Sequence, residues 1–269
     1  MSTARSTSLR IAVAQTALPA GDLESNRTAL AALAAEAAAK GAQLLVAPEL
    51  VTTGYGLGET LRDLAEPAEG PSFRALSAAA REHGIAVCYG YPERGNDGLY
   101  NSAALIGADG RLLANHRKTH LFGDYERGVF EPGKRAVSLA EVGGFTVALL
   151  ICYEVEYPEL VRAAVLAGAD LVIVPTATAS YSTPSRFSQM VVAARATENN
   201  CFVAYANHAG DDGRFRYNGE SLIAGPMTDI YALAGAEPEL LIADLDKARA
   251  AEAAAAVPYL RDRRPELYG

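Results

Sequence analysis

The stretch Val142-Gly143-Gly144-Phe145-Thr146-Val147-Ala148-Leu149-Leu150-Ile151-Cys152 decides the architecture. Its paired glycines supply the φ > 0 positions of a tight two-residue hairpin turn. The continuous apolar run 146–151 reads as a strand covered on both faces, because a strand with one wet face alternates. A helix follows over 158–167, opened by Pro158-Glu159 and closed by Gly168. Downstream, further strands are expected at 171–175, 202–206, 221–224, 230–233 and 240–245, with helices at 185–199 and 248–256. Upstream, strands are expected at 11–15, 44–48, 85–91, 102–106 and 112–117, with helices over 26–40 and 72–83 closed by Gly41 and Gly84. Strand, helix, strand, helix and a run of strands thus occur before Arg135 and again after Gly144. Two such halves, each a sheet with helices on one side, bury their bare sheet faces on each other. The expectation is an α/β protein, a four-layer α-β-β-α sandwich with mixed parallel and antiparallel pairing. No Pro-rich linker, short repeat or charge tract divides the chain, so one domain over 1–269 is expected. Its tail, 258–269, is expected to dock on a neighbouring subunit.

Composition narrows the function. Of 269 residues, 50% are hydrophobic and 21% charged, enough for a core and too apolar for disorder. Against 32 acidic residues stand 24 Lys and Arg, a net charge of −8, with no dense basic block. That argues against a nucleic acid gripped through its phosphates. An odd count of 3 cysteines argues against a disulfide scaffold and suits a reducing compartment. No apolar stretch reaches the ~18 residues of a membrane span. Arg5 and Arg10 before the apolar residues 11–20 imitate a short signal peptide, but Gln15 interrupts the run, which reads better as a first strand. A cytoplasmic chain with no membrane partner is expected.

Three residues stand where α/β sheets place chemistry, at or just past strand ends. Cys152 leaves an apolar strand just before a helix, the position at which nucleophiles are displayed; the alternative is a buried structural thiol, the reading given to Cys88 and Cys201. Glu49 follows Leu44-Leu45-Val46-Ala47-Pro48, and Pro48 ends the ladder there. A carboxylate at the mouth of an apolar sheet is desolvated toward a useful general base; the alternative is a solvated loop residue. Lys118 lies in Asn115-His116-Arg117-Lys118-Thr119-His120, where the alternative is a solvated basic surface. His116 and His120 share a four-residue spacing that suits zinc on a helix, but this segment reads as leaving a strand. A thiol nucleophile needs a base and a cation or N–H donors for its oxyanion, and Glu, Lys and Cys supply that set.

These residues resemble the three-motif pattern of the carbon–nitrogen hydrolase (nitrilase) superfamily: Pro48-Glu49-Leu50 with Thr53-Gly54-Tyr55, Arg117-Lys118-Thr119-His120-Leu121-Phe122, and Leu150-Ile151-Cys152-Tyr153-Glu154 with Tyr157-Pro158-Glu159. The resemblance implies that Cys152 attacks an amide carbon, Glu49 handles the proton, and Lys118 with the Tyr153 N–H steadies the oxyanion. It implies a thioester, release of ammonia, and no cofactor or metal. The stretch Glu126-Arg127-Gly128-Val129-Phe130-Glu131-Pro132-Gly133 matches a further family motif, so Glu126 is expected to hydrogen-bond Lys118 or orient substrate; the alternative is a loop salt bridge. Glu154 stands where many members carry Asp. Within the superfamily the likeness is to amidases of the 5-aminopentanamidase and R-stereoselective amidase types, through stretches such as Tyr89 to Gly95, Val174 to Ala177 and Tyr205 to Asn207. Tyr55 and Tyr153 are expected to line the substrate pocket. Where keto-acid amidases carry an arginine, this chain has Val155-Glu156-Tyr157, and an acid favours a cationic substrate tail; the alternative is that Glu156 caps the following helix. The expected partner is a small aliphatic, ω-amino amide. An N-carbamoyl amine hydrolase, a nitrilase, a metal hydrolase on His116 and His120, and a non-catalytic assembly protein remain alternatives. The superfamily also implies a homodimer or larger.

Overall fold

Along the first strand, Leu9, Ile11 and Val13 face one apolar cluster while Ala12 and Ala14 face another. The period-two geometry of a strand thus divides two cores from the first element onward. A computed structural model describes residues 7–179 and 186–268. In chain order the strands are β1 (Ser8–Gln15), β2 (Leu44–Val46), β3 (Ala86–Arg94), β4 (Leu99–Ile106), β5 (Leu112–Arg117), β6 (Ser138–Val142), β7 (Phe145–Leu149), β8 (Leu171–Pro175), β9 (Phe202–Ala206), β10 (Leu222–Ala224), β11 (Ile230–Leu233) and β12 (Glu239–Asp246). The helices are α1 (Leu23–Ala39), α2 (Leu61–Leu64), α3 (Pro71–His83), α4 (Gly123–Arg127), α5 (Pro158–Leu166), α6 (Phe187–Asn199) and α7 (Lys247–Ala256).

Among the described residues the strands form two six-stranded sheets, ordered β12-β1-β2-β3-β4-β5 and β11-β10-β9-β8-β7-β6. In each, the central strands are parallel, as in β1–β2–β3 and β7–β8–β9, and the outer pairs are antiparallel. Leu9, Ile11, Val46, Phe145, Val147, Ile173 and Phe202 fill the layer between the sheets. Leu30 and Ala34 of α1, with Phe73 and Leu76 of α3, cover the first sheet. Leu160 and Val161 of α5, with Val192 and Ala196 of α6, cover the second. This is the expected α-β-β-α sandwich. Each buried Leu, Ile or Phe contributes about 1.5–3 kcal/mol over exposure, more than a turn or a cap, so the sheet faces set the layering.

The turn at Gly143 (φ +56) and Gly144 (φ +86) pairs Val142 with Phe145 as the sequence predicts, and a Cβ on Gly143 would lie 2.5 Å from Leu9 Cδ1. Three expectations need correction. Strand β6, before that turn, is missed because Ala140 and Glu141 are half-exposed or exposed edge residues without an apolar run. The strand expected over 146–151 ends at Leu149, because the chain must leave the sheet to turn at Cys152. The second half does not keep all its strands: β12 crosses over and pairs antiparallel with β1, Leu9 opposite Leu245. The expected start of helix 185–199 at Ser185 lies outside the described residues. No helix among the described residues is long and apolar enough to cross a membrane.

Candidate active site

The carboxyl ends of β2, β7 and β8 meet at one place, where open α/β sheets bind ligands. Glu49 comes off β2 through Pro48, and its backbone N–H reaches Thr176 O beyond β8 at 3.4 Å. Gly90 of β3 makes that path possible: a Cβ there would sit 2.4 Å from Leu50 N and 2.6 Å from Glu49 Cα. Gly133 does the same behind Lys118, since its Cβ would lie 2.1 Å from Arg117 O, and its N–H donates to Lys118 O at 2.8 Å. Cys152 opens a 3-10 turn, Cys152–Glu156, with φ +50, and Leu50 beside Glu49 has φ +48. Left-handed backbone at a non-glycine residue costs on the order of 1–3 kcal/mol, and here it lifts the thiol out of the sheet.

The structure brings the four expected polar groups together. Lys118 Nζ donates to Glu49 Oε1 at 2.7 Å and to Glu126 Oε1 at 2.6 Å, with all three side chains fully buried. Tyr55 OH donates to Glu126 Oε1 at 2.9 Å, and Phe122 N to Glu126 Oε2 at 2.8 Å. Glu126 is therefore no surface loop salt bridge, and Glu49 is no solvated residue. Burial would lower the Lys118 pKa, but Glu126, Glu49 and Cys152 outweigh it and hold the ammonium well above its ordinary value. Burial also pushes Glu126 up, against Lys118. Cys152 is half-buried; burial and then Glu49 push its thiol well above the ordinary value, against Lys118 and a hydrogen bond from the Ala177 backbone.

Tyr153 follows Cys152, its ring 5.2 Å from Phe122 and 5.0 Å from Tyr157. Tyr55, Tyr125 and Phe215 form an aromatic wall at 5.3–5.6 Å. Glu156 is half-buried; burial raises its carboxyl, while Lys118 and Arg195 oppose this. It does not cap the next helix: the cap position is Tyr157, with no side-chain cap bond. His116 is occupied on both nitrogens, Nε2 by Glu154 at 2.9 Å and Nδ1 by Ser138 Oγ at 3.2 Å, while His120 Nδ1 meets Thr119 Oγ1 at 2.8 Å. No group of three metal-ligating side chains occurs among the described residues. Cys88 and Cys201 are buried, and burial pushes Cys201 up to about 12.

Sequence reasoning does not find Asn101 or His208. Asn101 Nδ2 donates to Glu49 Oε1 at 2.6 Å, and His208 Nε2 meets Glu49 O at 2.6 Å. Burial lowers the His208 pKa, which keeps the imidazole neutral with Nε2–H donating to that carbonyl. The available signal is a polar residue inside the apolar run Leu99–Ile106, and another just past β9.

Residues 10–255 match the family model described as Carbon-nitrogen hydrolase. The chain belongs to the carbon–nitrogen hydrolase family. Among its relatives, the "Hydrolase in pqqF 5'region" of Pseudomonas protegens is 44% identical over 97% of this chain and 90% of its own length. The (R)-stereoselective amidase of a Pseudomonas species is 36% identical over 84% of this chain and 81% of its own. A solved double mutant of the amidase from Nesterenkonia sp. AN1, in complex with acrylamide, superposes with a TM-score of 0.87 at 35% identity, over 99% of this chain and 98% of that one. Like these nitrilase-superfamily amidases, this carbon–nitrogen hydrolase is a two-sheet sandwich with helices outside. It is an enzyme of the class that cleaves non-peptide C–N bonds.

Proposed function

We propose that the protein is a cysteine-dependent amidase that converts a small aliphatic, ω-amino amide to its acid and ammonia. The observation carrying this reading is the buried Glu49–Lys118–Glu126 cluster in electrostatic contact with the Cys152 thiol. Glu49 Oε1 is taken by Lys118 and Asn101, while Oε2 is buried and has no partner among the described residues. A free carboxylate oxygen beside a protonated thiol suits a general base. As Cys152 Sγ forms its bond to the amide carbon, Glu49 takes the thiol proton, and the carbonyl electron pair moves to oxygen. Lys118 and the Tyr153 N–H stabilise that oxyanion. Collapse breaks the C–N bond; Glu49 gives its proton to the departing amine and leaves a thioester. Glu49 then deprotonates water, which attacks the thioester, and the proton returns to sulfur as the acid leaves. Glu126 holds Lys118 charged and correctly aimed.

Glu156 supports an amine at the far end of the substrate, since it is a half-buried acid close enough to the cluster for its carboxyl to feel the Lys118 charge. Purified enzyme is expected to release ammonia from 5-aminopentanamide with a kcat/KM about tenfold above pentanamide, roughly 1.4 kcal/mol of charge pairing, and Glu156→Gln is expected to erase the difference. Equal rates on both amides would remove the ω-amino reading. Ammonia release by Cys152→Ala would remove the thiol mechanism, and carbon dioxide release would point to a carbamoyl substrate. The chain is inferred to work as a homodimer in a reducing cytoplasm, where the nucleophile stays a free thiol. The outer face of α6 supports the dimer: Met190 is 72% exposed, and Ile230 and the tail residue Tyr259 lie beside it. Sedimentation of Met190→Asp as a monomer is the expected result.

A further inference from the structure

Glu154 is a fully buried carboxylate that the reaction above does not use. Burying an ion is unfavourable by several kcal/mol unless it is paired, so its partners indicate what it is for. They divide by oxygen. Oε1 accepts from Thr119 N at 2.8 Å and Thr119 Oγ1 at 2.5 Å; Oε2 accepts from Ile151 N at 2.7 Å and His116 Nε2 at 2.9 Å. Thr119 follows Lys118 and Ile151 precedes Cys152. Oε1 therefore holds the ammonium's segment through Thr119, while Oε2 ties the thiol's segment, through Ile151, to that same segment through His116. Among the described residues, every hydrogen bond between segments 116–120 and 150–154 passes through this carboxylate. The bond to Ile151 N is also half of a capping box and steadies the turn that begins at the left-handed Cys152. Buried His116, backed by Ser138, fixes the rotation of the carboxyl plane.

We propose that Glu154, oriented by His116, is a positioning residue that sets the spacing between the Lys118 ammonium and the Cys152 thiol. Burial pushes the Glu154 carboxyl up, but His116 and Thr119 outweigh it and hold the group below its ordinary value, so all four donors meet an ion. In Glu154→Gln one oxygen becomes an NH2 that faces an N–H donor, so either the two Thr119 donors or the Ile151 and His116 pair lose their acceptor. Misplacement of reacting groups by about 1 Å costs on the order of 10²-fold, and loss of an orienting partner 10–100-fold.

The proposal rests on the amidase reading only through the turnover assay, so a second measurement is independent of it. In folded Glu154→Gln, kcat per titrated Cys152 is expected to fall about 10- to 100-fold with KM within about threefold. The rate of Cys152 alkylation by iodoacetamide is expected to fall in parallel. His116→Gln, whose amide can still donate to Oε2, is expected to stay within about threefold of wild type, and His116→Leu to lose about tenfold or more. Where Glu154→Gln does not fold, the two His116 variants decide. Unchanged kcat per site and unchanged alkylation, with loss only in Tm, would overturn the proposal and leave Glu154 a structural ion. If wild type hydrolyses no amide, the functional reading fails, while the alkylation ratios still test the positioning.

Discussion

Replacing Lys118 with Met removes the cation that Glu49 and Glu126 share while keeping an unbranched side chain of similar length. Both carboxylates donate no proton to each other in the native site; each accepts from the same Nζ, at 2.7 and 2.6 Å. The facing oxygens therefore lie within about 5 Å. At an effective dielectric constant of about 20, two like charges at that distance repel by roughly 3 kcal/mol. One proton relieves this, and Glu126, already pushed up by burial and by Glu49, is the group to take it. A carboxyl whose folded pKa lies above its unfolded value stabilises the fold below the unfolded value, near 4.3, and that stabilisation is lost as pH rises through the folded one. The deficit of Lys118→Met relative to wild type should accordingly grow by about 3 kcal/mol from pH 4.5 to pH 8. With a urea m-value near 3 kcal/mol/M, this is a midpoint difference widening by roughly 1 M. Urea unfolding followed by circular dichroism at several pH values measures it directly. A deficit that stays constant between pH 5 and pH 8 would refute the like-charge reasoning, whatever happens to activity.

Gly90→Ala would press a methyl against the Leu50 and Glu49 backbone, so kcat is expected to fall on the order of 10²-fold, read from steady-state kinetics. Glu93 is pushed up by burial, but Arg117, Ser102 and Asn115 hold it below its ordinary value. Its stabilisation is present above the carboxylate range and lost as pH falls through its folded pKa; Glu93→Gln should thus unfold at lower urea than wild type at pH 7, with the gap closing below about pH 4. The raised Cys152 thiol predicts that iodoacetamide labelling of the free enzyme keeps accelerating above pH 9, as mass spectrometry of the Cys152 peptide would record. A rate already flat at pH 6 would mean a preformed thiolate.

Apolar runs such as Leu171–Pro175 and Phe202–Ala206 carry their own strand assignment, because burial on both faces removes any alternation. Glu49, Lys118 and Cys152 are legible because each follows such a run and the chain turns there. What stays hidden depends on pairing between distant segments. Nothing in Leu240 or Ile242 states that their strand lies beside Ala12 and Val13 rather than in the second sheet. Asn101 and His208 are likewise invisible, since their role is to hold Glu49, a partner 52 and 159 residues away. Glu154 looks like a conservative exchange in its motif, and only coordinates reveal the four donors around it. Glu126 lies between these cases: its motif is readable, whereas its full burial against Tyr55, Lys118 and the Phe122 backbone is a product of tertiary packing.

The crossing of β12 to the far side of β1 has a consequence for how the chain matures. On the ribosome, β1 emerges long before β12, so one of its flanks waits for residues 239–246. Until they arrive, a strand whose middle, Ile11 to Ala14, is wholly apolar presents an open edge, the kind of surface that recruits chaperones or other nascent chains. Closure of so long a loop makes docking of β12 a late and slow event. A nonsense mutation shortly before Glu239 would accordingly yield an aggregating polypeptide, although every residue of the catalytic cluster would have been synthesised.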